Sequence, residues 1–366
     1  MKANVEALLL HTAERFCLSA GQKYQLEREA PPREFRFLPA AFCLLFSAFC
    51  LLPAASAATW TRQPSGTMAW LRSVYFLDQN RGWVAGSGGT LLQTIDGGAT
   101  WKKMSSLTKD TLLDVYFADE NVGWLIAEPD QFKLKTDDEA RSYLLKTEDG
   151  GSSWQRVFLN SKDANARLVR LVFADSQRGL AFGETGIVFA TRDGGAHWMR
   201  QVSPTRHLLL GGAFANDGRG WLVGAGATIL QTKDGGATWQ TGILRDQISA
   251  RFTAVSFAGN FGWAVGNGGQ IFATKDAGRT WFAQRSNVEA DLLDVKFINP
   301  TEGWAVGADG LVLHTTDSGA HWFAESSNTS HVLQRVSFID RDHGWAVGFG
   351  GTILKYGRAA APQLKN

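Results

Sequence analysis

From Leu71 onward the chain alternates short apolar runs with short polar breaks, and the alternation repeats as one phrase. An apolar run ends in V-x-F and is followed by a polar loop, G-W-x-V-G, G-G-T-I-L and finally T-x-D-G-G-x-T-W. The G-W element stands at Trp83, Trp124, Trp221, Trp263, Trp304 and Trp345, with Leu180 replacing one tryptophan, and adjacent copies are mostly 41 or 42 residues apart. The closing tryptophan stands at Trp101, Trp154, Trp198, Trp239, Trp281 and Trp322. Short runs of β-branched and aromatic residues bounded by Gly and Asp predict strands. Leu112, Leu113, Val115 and Phe117 mark a first strand, Trp221 to Val223 a second, Thr228 to Thr232 a third, and the stretch near Trp239 a fourth. A period of 40 to 45 residues carrying four strands predicts an all-β, seven-bladed propeller with four-stranded antiparallel blades. Blades packed on both faces explain why the runs are nearly continuous in apolar character.

The seventh copy, from Leu333 to Tyr356, stops before its T-W. The missing piece stands at the other end of the repeats, where Ala58, Thr59 and Trp60 match Ala99, Thr100 and Trp101. The N-terminal segment is therefore expected to supply the outer strand of the last blade and close the ring, removing an exposed sheet edge. This places the propeller at 58–357, with a tail at 358–366.

Residues 37–52 form an apolar run preceded by Arg33 and Arg36 and followed by Ala55, Ser56 and Ala57. A basic flank, an apolar stretch and an A-x-A end read as a secretory leader cleaved after Ala57. The run is shorter than the roughly 20 residues of a spanning helix. The expected product is exported to the periplasm or secreted, with no membrane span after cleavage. Cys17, Cys43 and Cys50 all fall within the leader. The mature chain would then have no disulfide, thiol nucleophile or cysteine-bound zinc.

Composition narrows the function. The chain has 37 basic and 35 acidic residues and a net charge of +2, without the strong basic excess of a nucleic-acid binder. The T-x-D-x-G-x-T-W phrase places Asp96, Asp149, Asp193, Asp234, Asp276 and Asp317 at equivalent positions. Asp accepts hydrogen bonds from backbone N–H groups two or three residues on, and Gly reaches φ values closed to other residues, so the pair builds a tight turn. A carboxylate repeated in blade after blade is architectural, since catalysis needs one or two. His197 and His321 replace the usual Thr or Ser and are expected to make the same turn bond, not to bind a metal.

This motif is the Asp-box, and the repeat around it resembles the BNR repeats of sialidases and related propellers. More closely, G-W-A-V-G-x-G-G-T-I-L followed by T-x-D-G-G-x-T-W resembles the photosystem II stability and assembly factor family, over residues 58–357. That resemblance implies a non-enzymatic, exported seven-bladed propeller without a cofactor, found in the thylakoid lumen of photosynthetic members. It also implies a protein client belonging to a membrane complex, recognised through an arginine-rich surface.

A glycoside hydrolase or glycan-binding propeller is the alternative. A sialidase needs a tyrosine nucleophile with a glutamate beside it, and the mature chain offers only Tyr75, Tyr116, Tyr143 and Tyr356, none with such a partner in the repeat. Other glycosidases need two carboxylates roughly 5 to 10 Å apart. The residues before the V-x-F valine are Ser73, Asp114, Arg170, Gly211, Ala254, Asp294 and Arg335, and its two acids fall on blades two and six. They read as strand-end charges balanced by Arg170 and Arg335.

Departures from the repeat point elsewhere. Blade two carries about twelve extra residues at 128–143, between its second and third strands, including Lys133, Lys135 and Arg141. This hairpin opens on the same face as the inter-blade connections, which carry Arg72, Arg170, Arg206, Arg245, Arg251 and Arg335. Loops on a rigid scaffold commonly carry function, and arginine suits carboxylate recognition. Partner binding is therefore expected at Arg72, Lys133, Lys135, Arg141, Arg170, Arg206, Arg251 and Arg335 of a monomeric disk. Charge reversal at Arg170 and Arg335 is expected to weaken capture without unfolding. Arg81, Arg178 and Arg219 form a smaller basic group on the opposite face.

Overall fold

The computed structural model describes residues 58–105, 107–136, 139–159, 165–215, 217–246 and 249–358. The expected leader, and the tail after Arg358, lie outside the described residues. Among the described residues the strands form seven sheets, one for each copy of the repeat. Blade 1 runs outward through Leu71–Phe76, Gly82–Gly86, Thr90–Thr94 and Lys102–Lys103. Blades 2 to 6 repeat that order from first strands at Thr111–Phe117, Leu168–Phe173, Leu209–Phe214, Phe252–Ala258 and Leu292–Phe297. Blade 7 takes Leu333–Asp340, His343–Gly348 and Ile353–Arg358, and its outer strand is Ala58–Gln63.

The ring closes as the sequence predicts. Ala58–Gln63 pairs antiparallel with Ile353–Arg358 and sets Trp60 opposite Tyr356. Trp60 is 2% exposed, and its Nε1 donates to Glu325 Oε2 of blade 6 at 2.8 Å. First strands of blades 7 and 1 pack directly against each other.

The repeated aromatics explain how flat blades pack into a wheel. In five of the blades the V-x-F phenylalanine lies face to face with the G-W tryptophan of the preceding blade, as in Trp83 with Phe117 at 3.7 Å, Trp263 with Phe297 at 3.4 Å, and Trp345 with Phe76 at 3.4 Å; Trp124 and Phe173 are tilted by 30°. The edge of the same phenylalanine meets the outer tryptophan of its own blade, as in Phe76–Trp101 and Phe297–Trp322. Phe338 meets Trp60 in that geometry, 5.7 Å apart at 89°, so the N-terminal tryptophan occupies the position of Trp101. Stacked and edge-on pairs of this kind contribute about 0.5–1.5 kcal/mol each beyond the area they bury. The G-W glycine makes room for the ring. A Cβ on Gly82 would fall 2.6 Å from the Phe76 ring. Leu180 leaves the series incomplete between blades 3 and 4, where Leu180, Trp239 and Phe214 pack without a stacked pair.

One blade departs from four strands. In blade 5 the incoming connector adds Ile243–Leu244 parallel to Thr280–Gln284, making a five-stranded sheet. Gly242 permits this approach, since a Cβ there would meet Gly278 O at 3.0 Å and the Trp281 indole at 3.1 Å. The connector covers an outer edge that would otherwise present unpaired backbone groups.

Candidate functional site

The six repeat aspartates all serve turns. In blade 4, Thr232 Oγ1 donates to Asp234 Oδ1 at 2.7 Å and accepts the Gly236 N–H at 3.0 Å. Asp234 then accepts the Thr238 N–H at 2.9 Å and the Thr238 hydroxyl at 2.5 Å. The same pattern recurs at Asp96, Asp149 and Asp276. The carboxylate reaches the N–H four residues on as well as the one three residues on, while the preceding threonine hydroxyl takes the N–H two residues on. Gly98, in the equivalent blade 1 turn, has φ +87° and lies where a Cβ would meet Trp345 Nε1 at 3.0 Å. Trp345 Nε1 donates to Gly97 O at 3.0 Å, so the turn also ties blade 7 to blade 1.

His197 and His321 stand in for the hydroxyl, with Nδ1 2.6 Å from Asp193 Oδ2 and 2.7 Å from Asp317 Oδ2. The hydroxyls of Thr100, Ser153 and Thr238 lead in holding Asp96, Asp149 and Asp234 down at about 2. The backbone N–H groups of His197 and His321 lead for Asp193 and Asp317, also at about 2. At Asp276 burial pushes upward, but the bonds from Thr280 outweigh it and the carboxyl is lowered. No group of three metal-ligating side chains occurs among the described residues.

The two faces of the disk differ in what their arginines do. On the turn face, Arg81 pairs with Asp78 at 2.7 Å and with Glu120, Arg178 with Asp175 at 2.7 Å, and Arg219 with Asp217 at 2.6 Å. Each such arginine closes the loop that carries it. On the other face the blade 2 insertion leaves Gly123–Glu128, turns through Gln131–Lys133 and returns at Tyr143–Thr147. Gln131, Leu134, Lys135, Thr136 and Arg141 enclose a cavity of about 730 Å³ with Asn165 and Ala166 of the next connector. Phe132 at the tip is fully exposed. Lys133 reaches Asp130 at 3.2 Å and is 82% exposed, Lys135 is exposed, and Arg141 pairs with Glu184 of blade 3 at 2.7 Å. Arg206 and Arg251 are exposed on the same face.

Three arginines expected on that surface turn inward instead. Arg170 has only 12% of its side chain exposed and crosses from blade 3 to Asp294 of blade 6 at 3.3 Å. Arg335 lines the central channel, and Arg72 lies over the Trp70 ring at 3.7 Å. Burial lowers the Arg72 guanidinium, although Glu128 opposes the shift. Their first-strand position places Arg170 and Arg335 at the channel, a depth the repeat alone did not give, whereas Arg72 packs on Trp70. Arg170 sits in a buried ion pair, and reversing its charge would leave Asp294 without that partner.

All seven first strands line the channel, which encloses about 500 Å³. Its two acids are fully engaged. Asp114 accepts from Ser73 Oγ at 2.6 Å and from the Leu171 N–H at 2.8 Å, joining blades 1, 2 and 3. Asp294 accepts from Arg170 at 3.3 Å and from the Val336 N–H at 3.0 Å. Neither offers a free oxygen as acid or nucleophile. Tyr75 and Tyr116 share the channel, and burial pushes both phenols up, Tyr116 to about 12, which makes them poor nucleophiles. Sequence reading passed over Lys296, whose equivalents are the uncharged Tyr75, Tyr116, Val172, Ala213, Ser256 and Ser337, and Phe132, which lies in an insertion without an equivalent in the other blades.

The family described as photosynthesis system II assembly factor YCF48 matches residues 52–143, 103–205, 200–288 and 282–357. The fold is shared with a solved structure of YCF48 bound to D1 peptide, at 22% identity and a TM-score of 0.66, covering 82% of this chain and 97% of that one. It is shared with YCF48 from Cyanidioschyzon merolae at 21% identity and 0.66, covering 82% and 99%. An ancestral GH74 enzyme shows the fold at 12% identity and 0.62, over 85% of this chain and 49% of that one. No curated protein matches the chain. With the repeat matched from one end of the propeller to the other, the chain belongs to the photosystem II assembly factor YCF48 family.

Proposed function

We propose that this chain is an exported, non-enzymatic propeller that holds a segment of a membrane-complex protein while the complex is assembled. The observation that carries the reading is the family match across the whole propeller. A YCF48 structure of the same fold is bound to D1 peptide, which supports a polypeptide client of that kind. In a photosynthetic cell the client is a photosystem II subunit and the compartment the thylakoid lumen; elsewhere it is an extracytoplasmic segment of another membrane complex, met in the periplasm. The face bearing the blade 2 insertion receives it, through Lys133, Lys135, Arg141, Arg206 and Arg251. Exposed Lys135, Arg206 and Arg251 favour this choice, whereas Lys133 and Arg141 are ion-paired, as are Arg81, Arg178 and Arg219 of the turn face.

A photo-crosslinking residue placed at Phe132 tests the reading in the native envelope. Capture of one membrane complex is expected there, and none from the same probe at Lys233 on the turn face. Equal, scattered capture from both positions would remove the assigned face. The GH74 neighbour raises hydrolysis as a second reading, and turnover of fluorogenic glycosides by the purified chain would establish it.

A further inference from the structure

The channel holds more positive charge than its acids neutralise. Arg170, Lys296 and Arg335 line it against Asp114 and Asp294. Asp114 spends its oxygens on the neutral donors Ser73 and Leu171 N, and Asp294 on Arg170 and Val336 N. Among the described residues neither Lys296 nor Arg335 has a carboxylate within ion-pairing distance. The Nε of Arg335 is buried without an acceptor, and its only bond is from Nη1 to Gln334 O at 3.2 Å. Lys296 is accessible within the channel and Arg335 is half-buried, so both present charge to the channel space, and cations without a counter-charge attract an anion there more strongly than in bulk water.

We propose that the central channel is a binding site for a small oxyanion, such as inorganic phosphate or a short dicarboxylate, drawn by the unpaired cations Lys296 and Arg335 that line it. Neutral donors are at hand. Ser256 Oγ accepts the Phe297 N–H at 3.0 Å, which leaves its own O–H to donate into the same cavity. Tyr75, Tyr116 and Ser337 add further hydroxyls to the wall. A neighbouring space of about 280 Å³, lined by Arg251, Thr253, Asn267, Asp291 and Gln334, shares Arg335 with the channel. Burial lowers the Lys296 ammonium. Burial first, and Arg170 next, bring the Arg335 guanidinium down to about 10, so Arg335 remains charged at neutral pH. The neighbouring space shares Arg251 with the client-docking face, but anion binding is read by itself and so stands or falls separately.

Titration calorimetry and thermal unfolding of the purified chain with inorganic phosphate, and separately with malonate, at constant ionic strength against chloride, test the site. Saturable binding of at least one of the two and a raised Tm are expected. Lys296→Met should weaken binding at least tenfold while its Tm in chloride equals or exceeds the parent's, because an unpaired charge has been removed. Arg335→Gln should lose binding likewise, and Arg206→Gln on the outer face should keep it. Absence of binding by both anions, parent-like affinity in both channel variants, or loss on replacing Arg206 would each overturn the proposal.

Discussion

Thr232 is buried, and its hydroxyl makes three bonds: it donates to Asp234 Oδ1 and accepts from the Gly236 and Asp234 N–H groups. Replacing it with Val preserves shape and removes all three. A buried N–H left unsatisfied costs about 1–3 kcal/mol, so Thr232→Val should lower unfolding stability by that amount in urea titrations. Full stability in the variant would mean the turn relies on glycine geometry alone. The aspartates make a different prediction. Asp96, Asp149, Asp193, Asp234 and Asp317 are held at about 2, below the ordinary 3.8. A depressed folded pKa contributes stability that is complete above the unfolded value and is lost as pH falls through the folded one. Tm should therefore hold steady down to about pH 4 on this account and fall between there and pH 2, and Asp96→Asn combined with Asp234→Asn should make that fall shallower.

Among the elements, the strand Ala58–Gln63 is the one that closes the ring. Trp60 fills the place between Phe338 and Tyr356, and its indole satisfies Glu325. Removing so large a buried side chain costs about 3–5 kcal/mol, so Trp60→Ala should cause a loss of that size. The same substitution at Trp70, half-buried outside the repeat positions, should cost less. Equal losses would show that closure does not depend on the N-terminal strand. This strand was legible in the sequence because Ala58-Thr59-Trp60 copies Ala99-Thr100-Trp101. The blades were legible for the same reason, since every Trp and Gly of the repeat answers a packing need that recurs seven times. The fifth strand at Ile243–Leu244 was not, because it follows from one connector lying along one blade edge and repeats nowhere.

At the scale of the whole wheel, the insertion and the channel arginines looked alike in sequence, as basic residues on one face. Depth separates them, and depth depends on whether a first-strand side chain points to the channel or to solvent. Lys133 and Lys135 stand clear of the body of the disk, whereas Arg170 and its partner Asp294 are 12% and 8% exposed. Charge reversal should then divide into two classes. Lys133→Glu with Lys135→Glu leaves the core untouched, so Tm should stay within about 1 °C, in line with the small effects of surface substitutions. Client capture by the double variant should nevertheless fall, as expected when a cationic face meets its partner through charge. Arg170→Glu should instead place a third carboxylate beside Asp294 and strand it without its cation. Breaking a buried pair costs about 3–5 kcal/mol, so this variant should unfold early and lose capture only in proportion to its unfolded fraction. Measuring capture and Tm together on both variants decides the matter: unimpaired capture by the lysine variant would dismiss the insertion as a docking loop, and a stable Arg170→Glu disk would dismiss the channel pair as part of the frame.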